Sequence, residues 1–444
     1  MSPKMDAVQA DTVLPARTSV VVIGGGIAGV STALFLAEKG IPVVLCEKGH
    51  IGGEQSGRNW GWTRVMGRDI REIPLGLESL KLWRRMNEIT GAETGFRQAG
   101  IVYLCEDQAT IDRHEAWLAK AQPFQLDSRL VGPEELKRIF PGLGRSFKAG
   151  LHTPSDGRGE PTKAAPAIAT AAQKRGAKVF TSCAVRTVET KGGRVCGVVT
   201  EKGRIDCDTV VLAGGAWSTL FAGSMGLRLP SLNMLSSVMR TDPITGGPEV
   251  AGSGAGFSFR KRLDGGYSVA LRASAVADVT PDSFKLFFDF LPHLIKERGE
   301  MSVRFGARFF EELFRAKTWR ADEVTPMEKT RVLDPKPVAS SFGKARDKFA
   351  AAFPGMSEVR IAEGWAGYID ATPDAIPVIS PVESVPGFYL ATGFSGHGFG
   401  IGPGAGKLMA DLVAGDTPAV DPQPYRHSRF LDGSWRKDRQ EALL

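Results

Sequence analysis

The sequence predicts an α/β protein in which a nucleotide-binding domain is assembled from three separated segments, with another domain inserted between them. Three observations predict it. A continuous apolar run, Ser19-Val20-Val21-Val22-Ile23, feeds the glycine turn Gly24-Gly25-Gly26-Ile27-Ala28-Gly29 and then a helical pattern. Strand-like runs ending in glycine recur at Thr209–Gly215 and Gly387–Gly393. Between 226 and 355 the texture changes to alternating strand-like pieces and two aromatic-rich helical stretches, around 282–298 and 301–316.

The run at 19–23 has the composition of a strand buried on both faces of a parallel sheet. Val30 to Lys39 follows as a helix, stopped by Gly40 in the usual capping position. Ile41 to Cys46 is the second strand and ends in Glu47, which completes a βαβ unit of about 30 residues. Leu75, Leu77, Leu80, Leu82, Trp83 and Met86 fall near helical spacing, so 72–90 is an amphipathic helix. A further helix-strand unit runs from Lys163 through Phe180, with Val185 and Val188 on the next extended piece. Val195–Thr200 and Thr209–Leu212 come next, and the tail returns to a strand, a glycine loop and a helix over about 404–414. The segments 1–85, 146–226 and 358–444 are assigned to the nucleotide-binding domain, and 86–145 with 227–357 to the inserted one.

With 444 residues, 42% hydrophobic and 24% charged, the chain has ample apolar surface for a core, which excludes disordered, collagen-like and disulfide-scaffold classes. The net charge of +7 is spread over short mixed runs, so no nucleic-acid partner is expected. Five cysteines without a CxxC, and six dispersed histidines, point to reduced thiols and no metal site. No run of about 18 apolar residues occurs, so the expectation is a soluble, cytoplasmic protein without a transmembrane segment.

The glycines of the first turn divide the work among them. Gly24 permits the tight turn, Gly26 admits a pyrophosphate, and Gly29 lets helix pack on strand. The helix N-terminus adds amide donors and the positive end of a dipole. Glu47, 18 positions beyond Gly29, is placed to accept from a ribose hydroxyl. A nicotinamide enzyme usually keeps its nucleotide site in one contiguous domain. Here a second segment, Leu212-Ala213-Gly214-Gly215-Ala216-Trp217, and a C-terminal loop, Gly393-Phe394-Ser395-Gly396-His397-Gly398-Phe399-Gly400, also converge. Such a loop before a helix presents amides to the pyrimidine edge of a flavin, where negative charge builds on reduction. FAD is the predicted cofactor.

Arg272 ends the apolar run Tyr267-Ser268-Val269-Ala270-Leu271, where an unpaired buried charge would be costly. A planar guanidinium there could grip a substrate carboxylate bidentately; the alternative is an arginine paired with a buried carboxylate. Arg64, in Arg58-Asn59-Trp60-Gly61-Trp62-Thr63-Arg64, is read either as a site for a second acidic group or flavin phosphate, or as a solvated side chain.

The N-terminal turn, the Leu-Ala-Gly-Gly-Ala-Trp segment and the Gly-Phe-Ser-Gly-His-Gly-Phe loop together resemble the D-amino-acid-oxidase-type superfamily of FAD amine oxidoreductases. Trp365-Ala366-Gly367-Tyr368 followed by Thr372-Pro373-Asp374 is similar to it as well. The resemblance implies a Rossmann-like FAD domain plus a mostly antiparallel substrate domain carrying helices. Members that attach flavin covalently carry a cysteine just before the Thr-Pro-Asp segment; none stands here, which implies non-covalent FAD. Gly53-Glu54-Gln55-Ser56-Gly57-Arg58, Phe180–Ala184, Thr200–Gly203 and Trp319…Pro326–Lys329 look closest to bacterial L-amino acid deaminases and oxidases, without their N-terminal anchor.

By that resemblance the cofactor contacts are Gly24, Gly26, Ile27, Ala28, Gly29, Glu47, Lys48, Gln55, Ser56, Arg58, Asn59, Trp60, Gly61, Val185, Ala213, Gly214, Trp217, Gly396, His397, Gly398 and Phe399. Arg272 and Trp365 are the catalytic-site pair, with Trp62, Tyr368 and Arg64 completing the substrate cavity. The implied activity is oxidative deamination of L-amino acids to 2-oxo acids and ammonia, by hydride transfer from Cα to flavin N5. O2 is the expected acceptor, reduced to H2O2. The rival readings are a D-amino acid or secondary-amine dehydrogenase with a respiratory acceptor, and a non-catalytic flavin subunit of an amine dehydrogenase. The aromatic stretch Phe284–His293 is read as core or as a contact in a homo-oligomer, ahead of a patch delivering electrons to a membrane quinone.

Overall fold

The computed structural model describes residues 2–296 and 301–437. Val20–Ile23 is fully buried and lies between two parallel neighbours, Val43–Cys46 and Thr209–Leu212. Phe388–Thr392 adds in parallel beyond Thr209–Leu212, with Val378–Pro381 antiparallel at that edge and Lys178–Phe180 at the other. This six-stranded sheet is the nucleotide-binding half, and its strands come from all three separated segments.

The helices Ile27–Glu38, Ile73–Thr90, Pro161–Lys174 and Gly398–Ala414 cover one face of the sheet. Gly398–Ala414 approaches its neighbours closely because its contact stripe is glycine. A Cβ on Gly406 would sit 2.4 Å from Ser31 Cβ, and one on Gly402 2.8 Å from Ile27. The other face is covered by a three-stranded antiparallel sheet, Val185–Lys191, Arg194–Thr200 and Gly203–Asp206, with Trp217, Phe221 and Trp435.

The second half is a ten-stranded, mostly antiparallel sheet. Its centre is Leu232–Thr241, which pairs along its whole length with Ile361–Ala371. Helix Ser340–Ala352 seals the far face, its Phe349 packing against Phe257, Phe259, Tyr267 and Phe353. The strands Ala149–Thr153 and Ile361–Ala371 belong to this sheet, whereas the expected boundaries placed both in the nucleotide-binding domain. Their antiparallel partners, Ile101–Cys105 and Leu232–Thr241, draw them across.

Helical expectations also shift around 282–316. The first stretch is two helices, Pro281–Lys285 and Phe287–Lys296; residues 297 and 298 lie outside the described residues. Met301–Arg304 is a strand paired in parallel with Ala275–Asp278, and the next helix runs Ala307–Phe314. Pairing of an edge strand overrides the helical pattern there, and Gly306 separates the two elements. Among the described residues no helix is long and apolar enough to cross a membrane.

Candidate functional site

A cavity of about 150 Å³ opens where the parallel strands end. Its floor is the first glycine turn. Gly24 adopts φ +111°, and a Cβ there would meet the Ala213 carbonyl at 2.4 Å. A Cβ on Gly29 would lie 2.0 Å from the Gly24 carbonyl, so this glycine is what lets helix Ile27–Glu38 sit against the strand. Ile27 N–H, in the first turn of that helix, donates to Ser56 Oγ at 2.8 Å.

Glu47 closes the second strand, and its carboxylate accepts from Gly25 N at 2.6 Å and Gly49 N at 2.7 Å; burial raises its pKa. Lys48 Nζ bonds Glu54 at 2.5 Å and lies 4.7 Å from the Trp217 ring centre. Glu54 in turn accepts from Trp217 Nε1 at 3.1 Å and Leu333 N at 2.9 Å. Of the predicted cofactor contacts, Gly24, Gly26, Ile27, Ala28, Glu47 and Lys48 line the cavity, as do Gln55, Ser56, Arg58 and Asn59. Val185, Ala213, Gly214, Trp217, Gly396, Gly398 and Phe399 complete that set.

His397 does not line it. Its ring turns away to Glu72, with Nδ1 3.1 Å from the carboxylate, and burial and then Arg68 hold its pKa down. Gly396, Gly398 and Phe399 face the cavity instead. Trp60, Gly61 and Gly29 also stand outside the lining: Gly61 N–H donates to Asn59 Oδ1 at 2.7 Å and shapes the turn, and Gly29 packs helix on strand instead of facing the cavity.

Glu54, Gly367 and Asp370 are lining residues that the sequence reading missed. A glycine inside a strand was the available signal for Gly367, where a Cβ would come 2.3 Å from Gln55 Oε1. Asp370 accepts from Gly393 N at 2.7 Å and so ties the long strand to the C-terminal glycine loop. Gln55 Oε1 is buried without a partner among the described residues. A Cβ-free cradle, a helix N-terminus and an orphaned acceptor together fit a dinucleotide cofactor.

A second surface adjoins this cavity. Cross-strand pairing sets Trp365 opposite Val238, Ala270 opposite Ser258, and Ser253 opposite both Ser258 and Tyr103. Val238, Ala270 and Trp365 cluster, with Trp60 packed on them. Trp62 stands 5.3 Å from Trp60 and 6.2 Å from Tyr103, centroid to centroid. The Arg64 guanidinium lies 5.5 Å from the Tyr103 ring centre and bonds the Met66 carbonyl, so Arg64 is neither freely solvated nor in the cofactor cavity.

Arg272 departs from its expected setting. The strand ends at Leu271, and Arg272 is exposed just beyond it, outside the cofactor cavity. The argument from a costly buried charge therefore does not apply. Arg272 N–H still donates to the Gly256 carbonyl at 2.9 Å. It acts electrostatically on His114, which burial first, and then Arg113 and Arg272, hold down at about 4; His114 in turn lies against Tyr103. Trp365 is buried and donates its indole N–H to the Arg58 carbonyl at 2.9 Å. Tyr368, three residues on, lies on the opposite strand face, touches the cofactor cavity, and carries the Arg308 guanidinium 3.8 Å from its ring centre.

The chain is 34% identical to an L-amino acid deaminase from Proteus myxofaciens, solved in complex with anthranilate; the match covers 97% of each chain with a TM-score of 0.93. It is 26% identical to a glycine oxidase of Pseudomonas aeruginosa over 91% of this chain and 97% of that one. It is 25% identical to the mitochondrial dimethylglycine dehydrogenase of Mus musculus over 94% of this chain but 44% of that one, so it spans about half the length of that relative. The family model "FAD dependent oxidoreductase" (DAO) matches residues 19–412, and the chain belongs to that family of FAD-dependent enzymes.

Proposed function

We propose that this enzyme deaminates L-amino acids oxidatively, giving 2-oxo acids and ammonia. The observation that carries the reading is the aromatic cluster of Trp60, Trp62, Tyr103 and Trp365 beside the cofactor cavity, with Arg64 over the Tyr103 ring and Arg272 acting electrostatically on His114, which lies against Tyr103. Likeness to the Proteus myxofaciens L-amino acid deaminase over nearly the whole chain supports the L-configuration. FAD, held non-covalently by the glycine turn, Glu47 and the C-terminal loop, supplies a hydride acceptor when bound. Arg272 engages the substrate carboxylate as a planar fork, and the indole surfaces orient the side chain and exclude water from the reacting Cα. Water then hydrolyses the imino acid, and O2 takes the electrons to give H2O2.

The secondary-amine reading draws on a different observation, the similarity to dimethylglycine dehydrogenase. Anaerobic mixing with matched L- and D-amino acids separates the two. The expected result is bleaching of the flavin absorbance by L-isomers alone, and reoxidation with peroxide on admitting air. Bleaching by D-isomers or N-methyl amino acids instead would overturn the L-amino acid assignment.

A further inference from the structure

A second cavity, of about 300 Å³, lies between the helices Pro281–Lys285, Phe287–Lys296 and Ala307–Phe314 and the start of strand Leu232–Thr241. Ala216 and Trp217 stand on its boundary with the cofactor cavity. Its volume falls at the lower end of the range for small-molecule pockets, about 300–1,000 Å³.

The charges of the lining do not balance. Asp278 and Asp282 line the cavity, but Arg304 holds the first at 2.6 Å and Lys285 the second at 3.2 Å, and neither of those cations lines it. Among the described residues that leaves Arg308, Arg315 and Lys317 to share one lining carboxylate, Glu312, at 3.2, 2.7 and 3.8 Å. All four groups come from helix Ala307–Phe314 and the residues just after it. The side chains of Arg308 and Glu312 are each 11% exposed and that of Arg315 is 22% exposed, so water screens them only partly. Arg308 is committed to the wall as well, with its guanidinium 3.8 Å from the Tyr368 ring centre. Arg315 and Lys317 are the cations left for a ligand, and they call for an anion.

The remainder of the lining is mostly apolar: Leu220, Leu232, Met234, Phe290, Leu294 and Met301 contribute to it. Phe284 and Phe287 line the cavity and are 66% and 44% exposed, which marks where it reaches the surface. A compact inorganic anion would leave this apolar surface uncovered. A neutral hydrocarbon would cover it but leave the cations without a counter-charge. The occupant that meets both demands has an anionic head and an apolar body.

We propose that the second cavity binds a long-chain monocarboxylate, its head on Arg315 and Lys317 and its chain along the apolar side chains. A planar carboxylate matches the guanidinium fork of Arg315, and the Lys317 ammonium adds a point charge. Affinity rises with chain length as more methylenes leave water. The site lies apart from the reacting centre, so the inference is independent of which substrate reduces the flavin.

The test uses the purified FAD-loaded protein and decanoate, with binding followed by equilibrium dialysis. Saturable binding of one equivalent is expected, at least tenfold tighter than that of hexanoate or of decan-1-ol. Arg315→Gln and Lys317→Gln should each weaken decanoate about tenfold while leaving decan-1-ol unchanged. Lys317 is 40% exposed, so its variant keeps the charge test available should Arg315→Gln fail to fold. Leu220→Trp, which fills the cavity, should abolish binding with flavin content at the parent level. Absence of saturable binding, or decan-1-ol binding as tightly as decanoate, would overturn the proposal. So would a flavin-loaded Leu220→Trp protein that binds decanoate like the parent, since the ligand would then sit elsewhere.

Discussion

The indole N–H of Trp365 donates to the main-chain carbonyl of Arg58 at 2.9 Å, and both residues are buried. This bond joins the longest strand of the ten-stranded sheet to the short helix Gln55–Arg58 that lines the cofactor cavity. The Arg58 guanidinium returns the contact, donating to the Ala366 carbonyl at 2.9 Å. Trp365→Phe keeps an aromatic ring, though a smaller one, and strands a buried carbonyl, at about 1–3 kcal/mol for the lost bond. The expected outcome is a lower thermal midpoint and weaker FAD retention, read by denaturation and by flavin content after dialysis. A variant matching the parent in both would show that the bond carries no weight.

Gly29 and Gly343 make opposite predictions for the same change. A Cβ on Gly29 would sit 2.0 Å from a backbone oxygen that has no rotamer by which to yield. Gly29→Ala should therefore yield protein with little or no flavin, visible in the ratio of flavin to protein absorbance. Gly343, inside helix Ser340–Ala352, has nothing within 4 Å of its Cβ position. Gly343→Ala should stabilise the protein by about 0.5–1 kcal/mol, measured by urea unfolding, with flavin content unchanged.

What the sequence made legible follows the range of the interactions involved. The first βαβ unit is local, and the spacing of Gly24, Gly26, Gly29 and Glu47 carries its own geometry. The ring of His397 is settled by Glu72, 325 positions away, which no local pattern announces. Arg272 departs from expectation because an apolar run shows a strand but not where the strand stops: pairing ends at Leu271, and the next side chain meets solvent. Meeting of Trp62 with Tyr103, and the pairing that sets Tyr103 opposite Ser253, depend on register across strands distant in sequence.

Arg272 tests the substrate assignment. If it engages the substrate carboxylate, Arg272→Ala should raise KM about ten- to hundredfold, because one charge-assisted pair is lost. Flavin content should stay at the parent level, since Arg272 lies outside the cofactor cavity. Arg272→Lys should recover part of the loss, keeping charge but not the fork. An unchanged KM in Arg272→Ala would move carboxylate recognition to Arg64.

Asp156 gives the site a pH dependence. It is fully buried, and its carboxylate accepts from Val65 N at 2.8 Å and Met66 N at 3.3 Å, which pins the segment carrying Trp62 and Arg64. Burial lifts its pKa to about 7, against the opposing pull of those amides and of Arg64 and Arg68. In the unfolded chain the same group titrates near 3.9, so between about pH 4 and 7 the native state holds more protons than the unfolded one. Its contribution to stability is accordingly full below about pH 4 and is lost as pH rises through 7. From pH 5 to 8 that loss is about 2–3 kcal/mol. Asp156→Asn removes the titration while also spoiling one amide bond, so the variant should be less stable at pH 5 yet lose less between pH 5 and 8. Urea unfolding of both proteins at the two pH values measures the difference; a variant whose stability falls as steeply as the parent's would mean that the proton sits elsewhere.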